Sequence, residues 1–361
     1  QCLPLFTISH SYDRQAPSPR SLDDLPEIAF ADHPTSTINT GSWRSMEPRY
    51  EDKLAPCSCA CPAGNDISEM LRLLASGQVK EAARLLRSYN PLPATLGRVC
   101  PHFCEHPCNR QGLGGSIAVH MLERFLGDRS LDDDLDLQPG PRTERKVAII
   151  GAGPAGLAAA YALALNGHEV EVFDDKPKPG GYLRTGIPDY RLPKEILDRE
   201  IARIDRLGVT FTQNIRIGRD VTADDLFARF DAIIVAVGMH ESYPLRLPGA
   251  SHPDVHNGVE LLERILRGDA PVLPKRVAVI GGGNTAIDVA RSVLRLGAKP
   301  VVVYRRTEAE MPAIASEVEQ AKQEGIEFHF LAAPTAIVVE GGAIRALECQ
   351  KIRLGAPDAS G

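Results

Sequence analysis

Two residue types in this chain have spacings that could do chemistry: cysteines and glycines. Six of the eight cysteines fall between Cys57 and Cys108. Cys57, Cys59 and Cys61 form one group, with Pro62 directly after the last; Cys100, Cys104 and Cys108 form the other. Thiolates at this density hold iron–sulfur clusters, which favour all-thiolate shells, or zinc, for which four of the six would suffice. Six thiolates do not supply the eight ligands that two [4Fe–4S] clusters require. Six buried free thiols are the bland alternative, and the density argues against it. If Cys57–Cys61 is extended, its three side chains share one face but lie spread along it, so a turn is needed for all to reach one centre. Pro101 and Pro107 argue against a regular helix through the second group.

The glycines make a different signal. Gly151, Gly153 and Gly156, with Pro154 and Ala155 between them, follow the apolar run Lys146–Ile150 and open an Ala/Leu-rich stretch. A second apolar run ends at Asp174, 23 residues after Gly151. Strand, glycine turn, helix and acid-tipped strand are then in register. The first glycine permits the turn, the second lets backbone approach a pyrophosphate, and the third lets helix and strand pack closely; the carboxylate can accept from ribose hydroxyls. The pattern repeats at Gly281, Gly283 and Ala286, with Asn284 and Thr285 between, but the second strand ends in Arg305 and Arg306. An acid suits a free ribose 2′-hydroxyl and arginine suits a 2′-phosphate, although a solvated basic turn is a serious rival reading of the arginines. Gly180-Gly181 lets backbone approach a ligand, and the buried run Ala232–Val237, which contains Ala236, feeds Gly238 at the carboxyl edge of a parallel sheet, where open α/β sheets bind ligands.

The elements that must position these residues follow from periodicity. Asp66 can cap a helix with Ile67, Met70, Leu71 and Leu74 inward, ended by Gly77; a second helix runs over 78–89 and a third over about 117–126. Residues 129–145 are acidic, then Pro/Gly-containing, then basic, and read as a linker into Lys146. Helices are expected over 196–207, 258–269 and after Pro312, and strands over 209–214 and 300–304. The chain of 361 residues, with 43% hydrophobic and 24% charged residues, is that of a globular protein of two or three domains. A net charge of −6 argues against nucleic acid as partner, and no apolar run reaches the roughly 18 residues of a membrane span. The first residues lack the cationic start and apolar core of a secretory signal, and the cysteine pattern places the chain in a reducing cytoplasm.

Six stretches together resemble one family: CPAGNDI (61–67), GRVCPHFCEHPCN (97–109), GAGPAGL (151–157), GGYLRTGIPDYRLPK (180–194), GGGNTAIDVAR (281–291) and YRRTEAEMPA (304–313). From Cys57 onward the chain resembles the small-subunit type of glutamate synthase, an electron-transfer module shared with the N-terminal half of dihydropyrimidine dehydrogenase. The resemblance implies an α/β fold of two Rossmann-like dinucleotide-binding domains, glutathione-reductase-like with the second nested in the first, after a small α-helical iron–sulfur domain. It implies FAD at the first turn (Gly151, Gly153, Pro154, Ala155, Gly156, Asp174, Ala236, Gly238) with Gly181, Leu183 and Arg191 in the flavin-contacting loop. It implies NADP or NAD at the second (Gly281, Gly283, Asn284, Thr285, Ala286, Arg305, Arg306), the arginines favouring NADP. Cys61, Cys100, Cys104 and Glu123 would hold one [4Fe–4S] cluster, and Cys57 and Cys108 would belong to a second, for which the full upstream cysteine set is missing. The segment that returns to the flavin domain in the family is also missing from this chain.

The expected divisions are an extended arm at 1–45, a helical Cys-rich domain at 46–130, a linker at 131–145, an FAD domain at 146–257 and an NAD(P) domain at 258–361. No Ser/His/Asp or paired-carboxylate constellation stands out for substrate chemistry. The expected role is therefore electron transfer within a multi-subunit oxidoreductase, to or from a catalytic or ferredoxin-like partner subunit. A stand-alone NAD(P)H:ferredoxin-type reductase and a flavin-free scaffold are the alternatives.

Overall fold

The computed structural model describes residues 54–133, 135, 137–239 and 244–355. The arm expected at 1–45 lies outside the described residues.

The first part is helical: α1 (Pro56–Ala60), α2 (Ile67–Ala75), α3 (Val79–Tyr89), α4 (Pro93–Val99) and α5 (Val119–Asp132). The cap at Asp66 is present, its carboxylate accepting from Glu69 N–H at 3.1 Å. Ile67, Met70 and Leu73 are the buried residues of α2, while Leu71 and Leu74 are half-buried. The stretch containing Cys57 and Cys59 is not extended as one reading had it: Pro56 starts a helical turn, which puts Cys57 and Cys61 four residues apart on one side. The second cysteine group holds only a 3-10 turn, Phe103–Glu105, as its prolines require. Periodicity gave no sign of α4, which is short and starts on Pro93. It crosses α5 closely, because a Cβ on Gly97 would lie 2.4 Å from Arg124 N and one on Gly127 2.3 Å from Ala94 N. Helix α5 runs on to Asp132, into the stretch read as linker.

Next come β1 (Lys146–Ile150), α6 (Pro154–Leu165), β2 (Glu169–Asp174), α7 (Tyr182–Thr185), α8 (Lys194–Arg206), β3 (Thr210–Gln213), α9 (Ala223–Arg229) and β4 (Ala232–Val235). The strands form a parallel sheet in the order β3-β2-β1-β4. Ile149, Leu157, Val172, Leu197 and Ile204, all fully buried, centre its core. A second unit repeats the plan with α10 (Gly258–Arg267), β5 (Arg276–Ile280), α11 (Asn284–Arg295), β6 (Lys299–Val303), α12 (Ala315–Gln323) and β7 (Glu327–His329) in a parallel sheet β5-β6-β7. The hairpin β8 (Ala332–Glu340) and β9 (Ala343–Lys351) turns through Gly341-Gly342, both at positive φ, as a two-residue turn demands. Ile337 N–H donates to Pro248 C=O at 2.9 Å, so the hairpin returns to the connection between the two units.

The helical part is seated on the first sheet unit by buried polar contacts. Glu200 on α8 accepts from Ala94 N–H at 2.7 Å and Thr95 N–H at 2.9 Å, capping α4 from another element. Tyr161 Oη donates to Arg87 C=O at 2.8 Å beside it.

Candidate functional site

At the first glycine turn each glycine answers a steric demand. A Cβ on Gly156 would sit 1.9 Å from Gly151 C=O oxygen, and one on Gly151 would sit 2.3 Å from Ala236 C=O oxygen. Gly151 also has φ 109, open to glycine alone. Gly153 faces open space on its Cβ side, with only Gly181 Cα near, at 3.9 Å. Gly181 in turn would push a Cβ to 2.6 Å from Gly153 Cα, so the two loops close on each other at backbone distance. Helix α6 has Gly153 as N-cap, with no side chain over its first turn, and Pro154 and Ala155 begin it. Its unpaired N–H groups and positive dipole end therefore face the cradle, which fits a dinucleotide pyrophosphate. Gly238, at φ 70, turns the chain past the end of β4 at the same sheet edge.

Asp174 does more than wait for a ribose. One oxygen accepts from Ala152 N–H at 2.6 Å and the other from Lys176 N–H at 2.9 Å. It braces the glycine loop, and an ionised carboxylate keeps lone pairs for hydroxyls besides. Two residues of the expected flavin loop are engaged with the protein itself. Leu183 is 5% exposed and packs in the core. Arg191 is committed to Asp288 and Glu317 of the second unit, because the buried carboxylates there need a cation more than an open cleft does.

The second turn is looser. Gly283 has nothing within 4 Å of a built Cβ, and Gly281 meets only the Ala286 methyl at 3.4 Å, which is why alanine fits the last place. Helix α11 has Gly283 as N-cap and again no side-chain cap. Asn284 turns its side-chain oxygen to Ile314 N–H at 2.8 Å, holding the loop before α12 rather than offering that oxygen to a ligand. Thr285 is half-buried on the first turn of the helix. Arg305 and Arg306 are exposed beyond β6, and neither makes an ion pair among the described residues.

The cysteine groups converge in part. Burial pushes the Cys104 thiol up to about 12, with Cys61, Glu105, Cys100 and Glu123 adding negative charge nearby. Burial also raises Cys100, again with Glu123 and Cys61 close, while His102 N–H donates to its sulfur at 3.4 Å. Glu123 is 7% exposed and burial raises its carboxyl to about 7; Asn90 donates to it at 2.6 Å and Asn65 hydrogen-bonds it as well. Buried Cys104 and Glu123 and half-buried Cys61 and Cys100 thus form one cluster whose acidic groups disfavour one another's charge, a donor set suited to a cationic metal core. Cys57 and Cys108 are half-buried, and Cys57 packs with Cys61 against the core cluster that contains Cys104.

Sequence reasoning missed Asn65, Asn90 and a trio beside this cluster. Asn65, within CPAGNDI, was the legible one, since a polar residue buried at a helix start needs a partner. In the trio, His120 Nδ1 lies 2.7 Å from Glu105 Oε1 and its ring stacks on His102 at 3.7 Å. With an interplanar angle of 19° the in-plane lone pairs of the two imidazoles cannot meet one ion, so the trio is not a metal site as it stands.

Two family models match the chain. Pyridine nucleotide-disulphide oxidoreductase covers residues 145–354, and dihydropyrimidine dehydrogenase domain II, 4Fe-4S cluster, covers 50–135. The NADP(+)-dependent formate dehydrogenase subunit beta of Moorella thermoacetica is 42% identical over 85% of this chain and 47% of its own length. The glutamate synthase [NADPH] small chain of Escherichia coli is 38% identical over 84% of this chain and 68% of its own. The NAD-dependent dihydropyrimidine dehydrogenase subunit PreT of Escherichia coli is 38% identical over 80% and 71%. The chain thus spans about half the length of the first of these relatives and about two thirds of the others. No helix among the described residues is long and apolar enough to cross a membrane.

Proposed function

Because the chain belongs to the pyridine nucleotide-disulphide oxidoreductase family, with glutamate synthase small chains among its relatives, we propose that it is the electron-transfer subunit of a multi-subunit oxidoreductase. Its reaction passes electrons between NAD(P)H, FAD and a [4Fe–4S] cluster, to or from a partner subunit that holds the substrate site. The observation that carries this reading is the union, on one chain, of two bare helix N-termini behind glycine turns and a cluster of three buried or half-buried thiols and a buried carboxyl.

When bound, the flavin would supply the exchange between two-electron hydride and single electrons that such a module needs. The residues have these parts. Gly151, Gly153, Gly156 and Gly181 make the pyrophosphate cradle, and Asp174 holds that cradle in shape while offering a carboxylate to the ribose. Gly281 and Gly283 admit the nicotinamide dinucleotide at α11, and the free guanidinium groups of Arg305 and Arg306 favour a 2′-phosphate. Cys61, Cys100, Cys104 and Glu123 hold the cluster, with Asn90 and Asn65 orienting the carboxylate. Cys57 and Cys108 remain for a second centre completed by ligands from elsewhere. The divisions at 46–130, 146–257 and 258–361 are the units in which these parts reside, and we place the protein in the cytoplasm.

The test is anaerobic purification of the native protein from its own source, with flavin, iron and co-purifying chains measured together. Flavin bands, iron and a stoichiometric partner are expected, as is bleaching by NADPH. Absence of flavin would sink the redox reading. A protein that arrives alone yet reduces a ferredoxin-type acceptor would be the stand-alone reductase.

A further inference from the structure

Arg191 crosses from the first dinucleotide unit to the second. Its Nη1 donates to Asp288 Oδ2 at 2.7 Å, and its Nε lies 3.2 Å from Glu317 Oε1. The two paired side chains, Arg191 and Asp288, are 7% and 5% exposed. Tyr190, the preceding residue, lies against Arg291 and Arg295, whose guanidinium carbons are 4.7 and 4.0 Å from its ring centroid. Arg291 pairs in turn with Glu317 and Glu324. A separate tie joins Lys176 to Glu263 at 3.2 Å.

Where the pair sits matters more than its strength. Asp288 lies on α11 about one turn, some 6 Å, below the N-terminus that carries the second glycine turn. Arg191 ends the loop that begins at Gly180-Gly181 against Gly153. One ion pair therefore links the helix that offers its N-terminus to one dinucleotide with the loop that walls the cradle of the other. The pair is poorly suited to pure stabilisation. Asp288 Oδ1 has no hydrogen-bond partner, and burial pushes that carboxyl up to about 6. Buried ion pairs with unpartnered atoms return little net stability, whereas a planar guanidinium against a carboxylate tolerates few orientations.

We propose that Arg191 and Asp288 are positioning residues that set the angle between the two dinucleotide units, and with it the approach of the nicotinamide to the flavin. The inference rests on the reading of the two turns given under Proposed function. The step it governs is the hydride transfer in which nicotinamide is oxidised and flavin reduced by two electrons.

The test uses the full protein with its cofactors. Arg191→Lys keeps the charge but loses the fork; Asp288→Asn removes the charge; Arg191→Asp with Asp288→Arg exchanges the partners. Nitroxide-bearing unnatural amino acids at Asp224 and Glu319, both exposed, report the distance between units without nicotinamide. Each single variant should keep flavin content and nicotinamide Kd within about twofold, lower the anaerobic rate of flavin reduction about tenfold or more, and broaden the distance distribution. The exchanged pair should recover part of both. An unchanged rate with an unchanged narrow distribution overturns the proposal, as does a loss of rate that merely tracks loss of nicotinamide affinity. If the unaltered protein is reduced by neither NADH nor NADPH, the functional reading fails, and the distance distributions still decide whether the pair orients the units.

Discussion

The two glycine turns are built on one pattern and differ in how tightly they are made. At the first, Gly151 and Gly156 stand where a single methyl would strike backbone oxygen, and an acid ties the loop to the end of its second strand. At the second, the corresponding positions have room, alanine occupies the last place, and free arginines stand at the strand end. What stands behind them differs as well. The first unit is joined to the helical part by a buried carboxylate capping a helix, the second to the first by ion pairs. The difference teaches that a cofactor meant to stay calls for a closed, braced loop, and one that must come and go calls for an open one with a charge to recognise it.

The sharpest way to break this comparison is to exchange the last places of the turns. Gly156→Ala should destabilise the protein by about 3 kcal/mol and cost most of the bound flavin, read by thermal melting and the absorbance ratio. Ala286→Gly should cost about 1 kcal/mol and leave flavin untouched. Equal effects would remove the distinction between the turns. Next in size, Arg305→Ala and Arg306→Ala together should weaken NADPH by on the order of tenfold per arginine while NADH changes little, measured as Kd by titration calorimetry. Equal losses for both nicotinamides would make the arginines a solvated turn.

Smaller is the pH response of the first unit's seat on the helical part. Burial raises the Glu200 carboxyl to about 7, above its unfolded value. The folded state then holds the proton more tightly, so this group's contribution to stability is full below the unfolded pKa and falls as pH rises through about 7, by at most about 1.4 kcal/mol per pH unit. Glu200→Gln should flatten that slope in denaturant midpoints taken between pH 5 and 8. The smallest expected effect is that of Asp174→Asn. It weakens two backbone bonds, by about 1 kcal/mol in all, and should speed flavin release severalfold without touching nicotinamide affinity.

Much of this was legible because local chemistry fixed it. Asp66 caps its own helix, Gly156 and Ala286 answer to glycines of their own turns, and strand–turn–helix order follows from period and glycine alone. Helix α4 was not legible, since seven residues carrying a glycine show no period, and their helicity comes from packing on α5 and from the cap lent by Glu200. The ion pair of Arg191 was not legible for a similar reason: only the folded chain brings Asp288, 97 residues away, within reach.

By itself the sequence determined that two dinucleotide turns and a clasp of cysteines exist, because glycine's freedom and thiolate chemistry belong to the residues. The tertiary structure decided which thiols gather near Glu123, which protein groups Asn284 and Arg191 engage, and how one turn is set against the other. Those are matters of partners distant in the chain, and burial alone makes such partners obligatory, since a charge or amide taken from water must find its counterpart wherever the fold puts it.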